Sequence, residues 1–208
     1  MSKDLMLPYR IFKFILGGFY KWYYRPTFIG VENIPKEGPL IFVGNHKHIM
    51  DQNGPILCNK RPIHYMAKKE YFDDKKVAWF FKMSGCIAVD RSKKDPIAKE
   101  KAIAVLENGN CLGLFPEGTR NKTDQFLLPF KYGAVSLAHK TNATLVPFAV
   151  TGDYVFHGDN LTYRFGEPFK AQDDLEKTNK YLYRQIGNLM RASLKEEKKK
   201  KKAKKKQK

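Results

Sequence analysis

Cysteine is scarce in this sequence, and its placement excludes two common ways of stabilising a small protein. The three cysteines, Cys58, Cys86 and Cys111, lie far apart and form no C-x-x-C pair. Neither a disulfide framework nor a zinc knuckle is therefore predicted, and a reducing compartment is expected. No serine or cysteine lies in a G-x-S-x-G turn, so a covalent intermediate on such a nucleophile is not expected either.

Long hydrophobic runs are also missing. The longest stretch without a formal charge, Thr141–Gly152, has twelve residues and contains Pro147, whereas a membrane-spanning helix needs about 20 apolar residues. The first residues lack a basic region followed by a small-residue cleavage site. The sequence therefore predicts neither a transmembrane helix nor a cleaved export signal.

Positive charge is what the chain has in excess. It carries 39 basic and 21 acidic residues, a net charge of +18, which favours contact with nucleic acid, an anionic membrane or a phosphorylated substrate. Residues 195–208 account for +8 of this charge and residues 1–28 for +4. Because no RNP-like aromatic motif or zinc-finger spacing accompanies the charge, no specific nucleic-acid partner is predicted.

The charge distribution and the length divide the chain into three regions. A chain of 208 residues with 42% hydrophobic residues fits one folded domain with appendages. We assign residues 1–28 to an N-terminal amphipathic interfacial helix region, residues 29–194 to the folded domain, and residues 195–208 to a disordered polybasic tail.

A helix is predicted over Pro8–Tyr24. Apolar residues cover most of its surface, and its narrow polar stripe consists of Arg10, Lys13, Gly17 and Lys21. Two interpretations remain open: a helix packed on the core, or a membrane-docking helix that lies in the interface with its basic residues near anionic lipid. The pair Gly17-Gly18 is a candidate break between two shorter helices.

From Gly38 onward, short apolar runs alternate with helical patterns. Five runs are predicted as strands, and most of them lack the alternation of a half-exposed strand, which indicates burial on both faces: Pro39–Gly44, Ile63–Ala67, Cys86–Val89, Cys111–Phe115 and Thr144–Val150. Helices are predicted at Val77–Met83, Ile97–Glu107 with Asp95 as cap, Gly133–Lys140 and Asp173–Lys195. The alternation predicts an α/β fold: a single domain with a mainly parallel central sheet flanked by helices.

The most informative segment, Asn45 to Asp51, follows the first predicted strand directly. In an open α/β sheet, functional side chains collect at the carboxyl ends of the strands. A loop or a bent turn there allows Asp51 to accept the Nδ1–H of His46. The Nε2 atom is then left to take a proton from a substrate hydroxyl.

A metal site is one alternative for this segment, since His46 and His48 with a nearby Asp resemble part of a metal-binding run. The acid lies one place late for that pattern, however, and Gln52 follows it instead of a histidine. The remaining histidines lie in no recognisable ligand spacing; these are His64, His139 and His157. No metal is therefore predicted.

A second segment, Leu114 to Asn121, follows another apolar run and has the composition of an anion-binding loop. Gly118 permits close backbone approach, Thr119 can donate a hydrogen bond, and Arg120 has a planar donor group that matches phosphate oxygens. Glu117 beside them can hold the guanidinium group or accept a hydrogen bond from a substrate hydroxyl. A plain polar turn after a strand is the alternative.

Together these segments resemble the 1-acylglycerol-3-phosphate acyltransferase family, the glycerolipid acyltransferases. The resemblance spans about Gly30–Gly166 and consists of four blocks in order: Asn-His-x-x-x-x-Asp from Asn45, Val-Asp-Arg from Val89, Phe-Pro-Glu-Gly-Thr-Arg from Phe115, and Val-Pro-Phe from Val146. Each block is modest alone, but four in order are specific. The family usually has Ser where this chain has His48.

The resemblance implies a role for each matching residue. By it, His46 is the general base and Asp51 its partner. Substrate-binding roles, chiefly for the phosphate and the glycerol phosphate, fall to Lys69, Arg91, Glu117, Gly118, Thr119 and Arg120. Pro147 is implied to shape the acyl-chain region, and no cofactor is implied beyond the co-substrate.

The implied reaction moves a fatty acyl group from acyl-CoA or acyl-carrier protein to the sn-2 hydroxyl of 1-acylglycerol 3-phosphate, giving phosphatidate in phospholipid biosynthesis. Because the acceptor is a membrane lipid, we expect a peripheral membrane protein on the cytoplasmic face, bound to an anionic membrane surface. Two alternatives remain: the same chemistry on another lysophospholipid, or a non-catalytic protein that binds anionic lipid.

Overall fold

A computed structural model describes residues 3–90, 92 and 94–206. Over these ranges the helices are α1 (Lys3–Tyr24), α2 (Asn53–Cys58), α3 (Glu70–Asp73), α4 (Ala78–Met83), α5 (Pro96–Glu107), α6 (Gly133–Thr141) and α7 (Leu175–Lys206). The strands are β1 (Thr27–Ile29), β2 (Leu40–Gly44), β3 (Ile63–Lys68), β4 (Ile87–Val89), β5 (Cys111–Leu114), β6 (Thr144–Thr151), β7 (Thr162–Phe165) and β8 (Phe169–Lys170).

The strands form one mixed sheet in the order β1-β7-β6-β2-β5-β3-β4, with β8 also paired to β6. The strands from β6 through β2, β5 and β3 to β4 run parallel, and β7 and β8 pair antiparallel to β6. The predicted α/β domain with a mainly parallel sheet is confirmed. Because β2, β5 and β6 are parallel neighbours, the loops that follow them lie side by side at one edge of the sheet.

The sheet is buried on both faces, as its continuous apolar strands predict. In β2, Ile41 and Val43 belong to the core layer that contains residues of α5, α6 and α7. Leu40 and Phe42 belong to the opposite layer, which includes Tyr20 of α1. These four side chains of β2 are all fully buried. A strand at this position therefore gives the following loop a rigid base.

Helix α1 turns most of its apolar side outward and packs part of its polar stripe inward. Lys13 and Gly17 lie on the packed side: Lys13 Nζ donates to the Asn59 carbonyl at 2.5 Å, and Gly17 is buried. A Cβ on Gly17 would lie 2.5 Å from Leu57 Cδ2, so glycine permits close approach to α2, and the helix continues without a break. Large apolar side chains remain exposed at Leu7, Ile11, Phe14, Ile15, Leu16, Phe19 and Trp22.

In the part of the chain that the structure describes, no helix is long and apolar enough to cross a bilayer.

The prediction that the lysine-rich tail is disordered was wrong, because α7 continues as a helix through Lys206. Its packed part, with Leu182 and Ile186 fully buried, supplies the helical nucleus, and extending an existing helix costs far less than starting one. Lysine is a good helix former. Arg164 and Glu196 pair at 2.6 Å, which anchors the helix to β7 before the lysine run begins.

Candidate active site

The structure brings the predicted histidine and carboxylate together in the loop after β2. His46 Nδ1 and Asp51 Oδ2 lie 2.8 Å apart. Residues 45–52 form bends and turns instead of a regular helix, which is the local structure that this pairing requires. Asn45 fixes the start of the loop, since its side-chain amide donates to the Val150 carbonyl at 3.0 Å and accepts from the Val150 N–H at 2.7 Å.

Asp51 is fully buried, and hydrogen bonds hold it from two sides. Its Oδ2 atom accepts from the backbone N–H groups of Lys47 at 2.6 Å and His48 at 2.7 Å, in addition to His46. Its Oδ1 atom accepts from the Tyr154 hydroxyl at 2.6 Å. A buried carboxylate needs such donors because it has lost its hydration. The loop is therefore folded around the acid.

The pairing decides which imidazole nitrogen is available for chemistry. Since an ionised carboxylate only accepts hydrogen bonds, His46 carries its proton on Nδ1, and Nε2 of the neutral ring has a free lone pair. The His46 side chain is 18% exposed, and among the described residues Nε2 has no hydrogen-bond partner. The geometry is that of a general base with an oriented, accessible nitrogen.

Aromatic packing fixes the plane of the His46 ring. Phe115, directly after β5, stacks on it with 4.0 Å between ring centroids and 11° between planes. Tyr65 and Phe148 contact Phe115 in turn, at 5.9 Å and 6.2 Å. The ring is thus held on one face by Phe115 and at one nitrogen by Asp51, which leaves little rotational freedom.

Glu117 connects the two strand-end loops. Its Oε1 atom accepts from the His46 backbone N–H at 2.7 Å, and its Oε2 atom accepts from the Leu128 N–H at 2.9 Å. Burial raises the pKa of Glu117, and these two hydrogen bonds oppose that rise. The side chain braces the loop of the candidate base. Its predicted contact with substrate stays a prediction.

The loop after Glu117 has the backbone that an exposed anion-binding turn requires. Gly118 has φ of +71°, a conformation that side chains other than glycine rarely adopt. Thr119 and Arg120 are exposed, so both side chains are free to meet a ligand. The Asn121 N–H donates to the His46 carbonyl at 2.6 Å, which brings this loop against the candidate base.

The other predicted site residues lie farther from the pair or outside the described residues. Lys69 is exposed just after β3, a strand separated from β2 by β5. Pro147 is buried in the middle of β6, opposite Val43 of β2, and faces the layer covered by α7 instead of the open loops. Arg91 lies outside the described residues.

Pro147 is tolerated in β6 because of where its partners change. Residues before it pair with β8 and residues after it pair with β7. On that side its carbonyl accepts from the Gly166 N–H at 2.9 Å. Proline has no N–H to donate, and the gap between β8 and β7 leaves the sheet without a bond to lose there.

Sequence reasoning missed Tyr154 and assigned no role to Asn45 or Phe115. All three lie just after or at the carboxyl end of a strand in the group β2, β5 and β6. Adjacent strand ends are the available signal, but it required knowledge that β6 pairs with β2, which the sequence pattern does not reveal.

His48 lies beside the pair without joining a metal site. Its Nδ1 accepts from the Met50 N–H at 3.3 Å, and its ring stacks on Tyr154 with 4.2 Å between centroids. Within residues 3–90, 92 and 94–206, no group of three His, Cys, Asp or Glu side chains is placed to hold a metal ion.

Comparison with known proteins places the chain in one family. The sequence model of the Acyltransferase family matches residues 25–151, more than half of the chain. The chain is 33% identical over 147 residues to a 1-acyl-sn-glycerol-3-phosphate acyltransferase of Bacillus subtilis, covering 68% of this chain and 72% of the relative. It is 32% identical over 139 residues to the protein of that name in Borreliella burgdorferi, covering 66% of this chain and 55% of the relative.

A solved structure shares the fold. The crystal structure of the 1-acyl-sn-glycerophosphate acyltransferase of Thermotoga maritima superimposes with a TM-score of 0.70 and 24% identity, covering 89% of this chain and 80% of that one. The matched region contains both strand-end loops with His46, Asp51 and Glu117. This chain therefore belongs to the acyltransferase family, together with these 1-acyl-sn-glycerol-3-phosphate acyltransferases.

Proposed function

We propose that this chain transfers a fatty acyl group from a thioester, acyl-CoA or acyl-carrier protein, to the sn-2 hydroxyl of 1-acylglycerol 3-phosphate, forming phosphatidate for phospholipid synthesis. The observation that carries the proposal is the pair of His46 and Asp51, with Nδ1 bonded at 2.8 Å and Nε2 open. The names of the relatives support the choice of acceptor.

The mechanism uses the open nitrogen as a general base. His46 Nε2 takes the proton of the acceptor hydroxyl while the oxygen attacks the thioester carbonyl carbon. The tetrahedral intermediate then breaks its C–S bond, and the leaving sulfur takes the proton back from the imidazolium. The buried Asp51 carboxylate stabilises the imidazolium. Because the thioester is already activated, no acyl-enzyme is needed.

The loop after β5 supplies the phosphate contact in this proposal. Arg120 is exposed in a loop that is bonded to the His46 carbonyl through Asn121, so a phosphate held by its guanidinium group is tethered near the base. A bidentate contact of that kind also orients the hydroxyl. Arg91 is assigned the same ligand by resemblance alone.

A matched pair of histidine variants tests the proposal. Purified protein is given labelled acyl-CoA or acyl-carrier protein with a panel of lysophospholipids and glycerol phosphate, and products are identified by mass. His46→Ala should lose transfer. His139→Ala should retain it, because His139 forms a similar bond to Asp173 at 3.1 Å on the surface between α6 and α7. Full activity of His46→Ala overturns the proposal. Absence of any transfer by the wild-type protein favours the non-catalytic lipid-binding alternative.

We further propose that the protein docks on an anionic membrane through the outer face of α1. This face exposes Phe14 by 82% and Ile15 by 61%, a cost in water that insertion at the headgroup level removes. Exposed Trp79 and Phe156 extend it, with ring centroids 6.2 Å from Phe12 and 5.7 Å from Trp22.

Basic residues surround this apolar surface. Arg10, Lys21 and Arg25 are exposed along α1 and after it, and the lysine-rich end of α7 adds further charge. Each basic residue near an anionic leaflet contributes about 1 kcal/mol. The unpaired cysteines support the reducing, cytoplasmic side of the membrane.

Vesicle flotation tests the docking face. Wild-type protein should float with vesicles that contain about 30% anionic lipid, and Phe14→Glu should bind at least tenfold more weakly, since one buried aromatic side chain contributes about 1.5–3 kcal/mol. Ile97→Glu is the matched control, because Ile97 is 63% exposed on α5, which packs on the other layer of the sheet. Equal weakening in both variants contradicts docking through α1.

A further inference from the structure

Three tyrosine hydroxyls form a continuous hydrogen-bonded series that ends on the carboxylate of Asp51. Tyr20 of α1 lies 2.6 Å from the hydroxyl of Tyr163 in β7. Tyr163 lies 2.9 Å from the hydroxyl of Tyr154, in the loop after β6. Tyr154 lies 2.6 Å from Asp51 Oδ1. The series therefore joins α1 to the site through side chains distant in sequence.

The direction of each hydrogen bond follows from counting protons. The Asp51 carboxylate only accepts, so Tyr154 donates its single proton to it and must accept from Tyr163. Tyr163 then accepts from Tyr20, and the Met50 carbonyl, 3.2 Å from the Tyr163 hydroxyl, is a second acceptor for its proton. All donors point toward Asp51.

These phenols keep their protons at neutral pH, because their pKa values are raised above the usual value of 10.0. Burial is the largest cause that raises the pKa of Tyr154, and the neighbouring Tyr163 and Asp51 raise it further. Burial also raises the pKa of Tyr163 and of Tyr20. Tyr154 is therefore a neutral donor to a charged acceptor, and a hydrogen bond of this kind is stronger than one between two neutral groups.

The bond from Tyr154 has a specific structural task. Three donors hold Asp51 Oδ2, namely His46 Nδ1 and the backbone N–H groups of Lys47 and His48. In the described part of the chain, Oδ1 accepts a hydrogen bond from Tyr154 and from no other group. Without Tyr154, the three donors still hold Oδ2, but no hydrogen bond holds Oδ1 and so fixes the tilt of the carboxylate plane that orients His46.

We propose that Tyr154 is a positioning residue for the His46–Asp51 pair, and that Tyr163 and Tyr20 fix Tyr154 relative to α1. The Tyr154 hydroxyl bonds Asp51 Oδ1, and in this proposal it acts on His46 through Asp51. The inference rests on the proposed base role of His46.

Packing around Tyr154 supports a fixed position for its hydroxyl. Its ring is stacked on His48 at 4.2 Å and lies edge-on to Tyr24 at 5.6 Å. The loop that carries it is bonded to the end of α1, since the His157 N–H donates to the Tyr23 carbonyl at 2.7 Å. The tyrosine hydroxyl series and this backbone hydrogen bond therefore both fix the position of the Asp51 carboxylate relative to α1.

The test uses Tyr154→Phe, which keeps the ring contacts and removes the hydroxyl. We expect kcat to fall by roughly 10- to 100-fold, the range that loss of a hydrogen bond to a charged group gives, while KM for the acceptor stays within about twofold. Tyr183→Phe is the matched control. In the wild type, the Tyr183 hydroxyl on α7 donates to the Leu127 carbonyl at 3.3 Å, so its loss should leave kcat at the wild-type value.

A double variant separates positioning from a general loss of structure. In an Asp51→Ala background no side-chain route leads from Tyr154 to His46, so adding Tyr154→Phe should lower kcat by less than twofold. An equal fold-loss in both backgrounds overturns the proposal, as does wild-type kcat in Tyr154→Phe.

A second single variant keeps the proposal testable if Tyr154→Phe does not fold. Tyr163→Phe removes the donor to Tyr154 but leaves the bond to Asp51, and it should lower kcat by about 3- to 10-fold with KM unchanged. Unchanged kcat there overturns the series. An active His46→Ala protein instead refutes the proposed function itself, so the two failures are distinguishable.

Discussion

Replacement of Asp51 by Asn removes the negative charge, but an Asn side chain has the same shape and can keep hydrogen bonds to both His46 and Tyr154. If the Asn carbonyl oxygen takes the place of Oδ2, it still accepts from His46 Nδ1, at the position now 2.8 Å away. The Asn amide then donates to the Tyr154 hydroxyl, which turns to donate to Tyr163. Tyr163 in turn donates to the Met50 carbonyl, 3.2 Å from its hydroxyl. The network reverses and leaves only the second amide N–H of Asn without a partner among the described residues, so the expected loss of kcat is mainly electrostatic.

The size of that loss follows from the geometry of the pair. An imidazolium and a carboxylate with charge centres about 4 Å apart attract by about 4 kcal/mol at an effective dielectric constant near 20. His46 is 18% exposed, and water near its ring reduces this toward about 2 kcal/mol. Because the imidazolium forms only as the hydroxyl loses its proton, kcat should fall by about 30- to 1000-fold.

The assay measures thiol release from acyl-CoA with detergent-dispersed lysophosphatidate, so that kcat and KM are obtained separately and membrane docking does not limit the rate. KM for the acceptor should change by less than about threefold, since Asp51 is buried and does not meet the substrate. Asp173→Asn, on the surface partner of His139, is the control. A kcat above one third of wild type, in a variant with unchanged thermal unfolding, refutes the reasoning.

Three further substitutions probe the surroundings of the site. Gly54→Ala should lower the free energy of unfolding by about 1–3 kcal/mol and reduce kcat, because its Cβ would lie 2.0 Å from Tyr163 Cδ1; Gly18→Ala, with no neighbour within 4 Å, should be neutral or stabilising in the same urea titration. Glu117→Gln should destabilise by about 1–3 kcal/mol, since its amide NH₂ must face the N–H of His46 or Leu128; unchanged urea midpoint and kcat contradict this. Burial lowers the pKa of His64 below its usual value of 6.5, so near that pH the unfolded chain binds more protons than the folded one, and the free energy of unfolding falls as pH decreases from 7.5 to 5.5. In urea titrations at these two pH values, His64→Gln should show a smaller fall than the wild type. An equal fall contradicts the assignment.

The centre of the sheet was predictable because its strands are buried on both faces. Continuous apolar runs mark β2, β5 and β6 in the sequence, and the Asp95 cap of α5 was also identified, with its side chain accepting from Ala98 N–H at 2.9 Å. The edge region was not. Strand β7 reads Thr-Tyr-Arg-Phe, and Arg164 in it pairs with Glu196 of α7, a partner that local sequence cannot indicate.

Helix α1 shows why periodicity alone was insufficient. The sequence contains a narrow stripe with Lys13 and Gly17, and a stripe of that kind ordinarily faces water. The structure packs it instead, because glycine allows contact with Leu57 and the Lys13 ammonium finds the Asn59 carbonyl. Burial accordingly lowers the pKa of Lys13. Which face of an amphipathic helix is buried depends on the complementary surface, and that surface comes from other segments.

The site divides along the same line. The His46–Asp51 pair was predictable, since both partners lie within six residues of one loop. Tyr154 is 103 residues from Asp51, and Glu117 is 71 residues from the His46 N–H that it accepts. These contacts depend on the order of β6, β2 and β5 in the sheet. Sequence reasoning therefore found His46, Asp51 and Glu117, but it missed Tyr154 and the hydrogen bond by which Glu117 holds the His46 loop.

Two roles are proposed for α1, membrane docking through its outer face and support of Asp51 through Tyr20, and the geometry of the helix links them. Its outer face exposes Phe14, Phe19 and Trp22, whereas Tyr20, buried on the inner face, begins the hydroxyl series that ends at Asp51. Because a helix is rigid over this length, docking as proposed, with the outer side chains in a bilayer, would also fix the height of the His46–Asp51 pair above that bilayer. Under the two proposals together, an acceptor held in the membrane by its acyl chain would present its hydroxyl to His46 at a defined level.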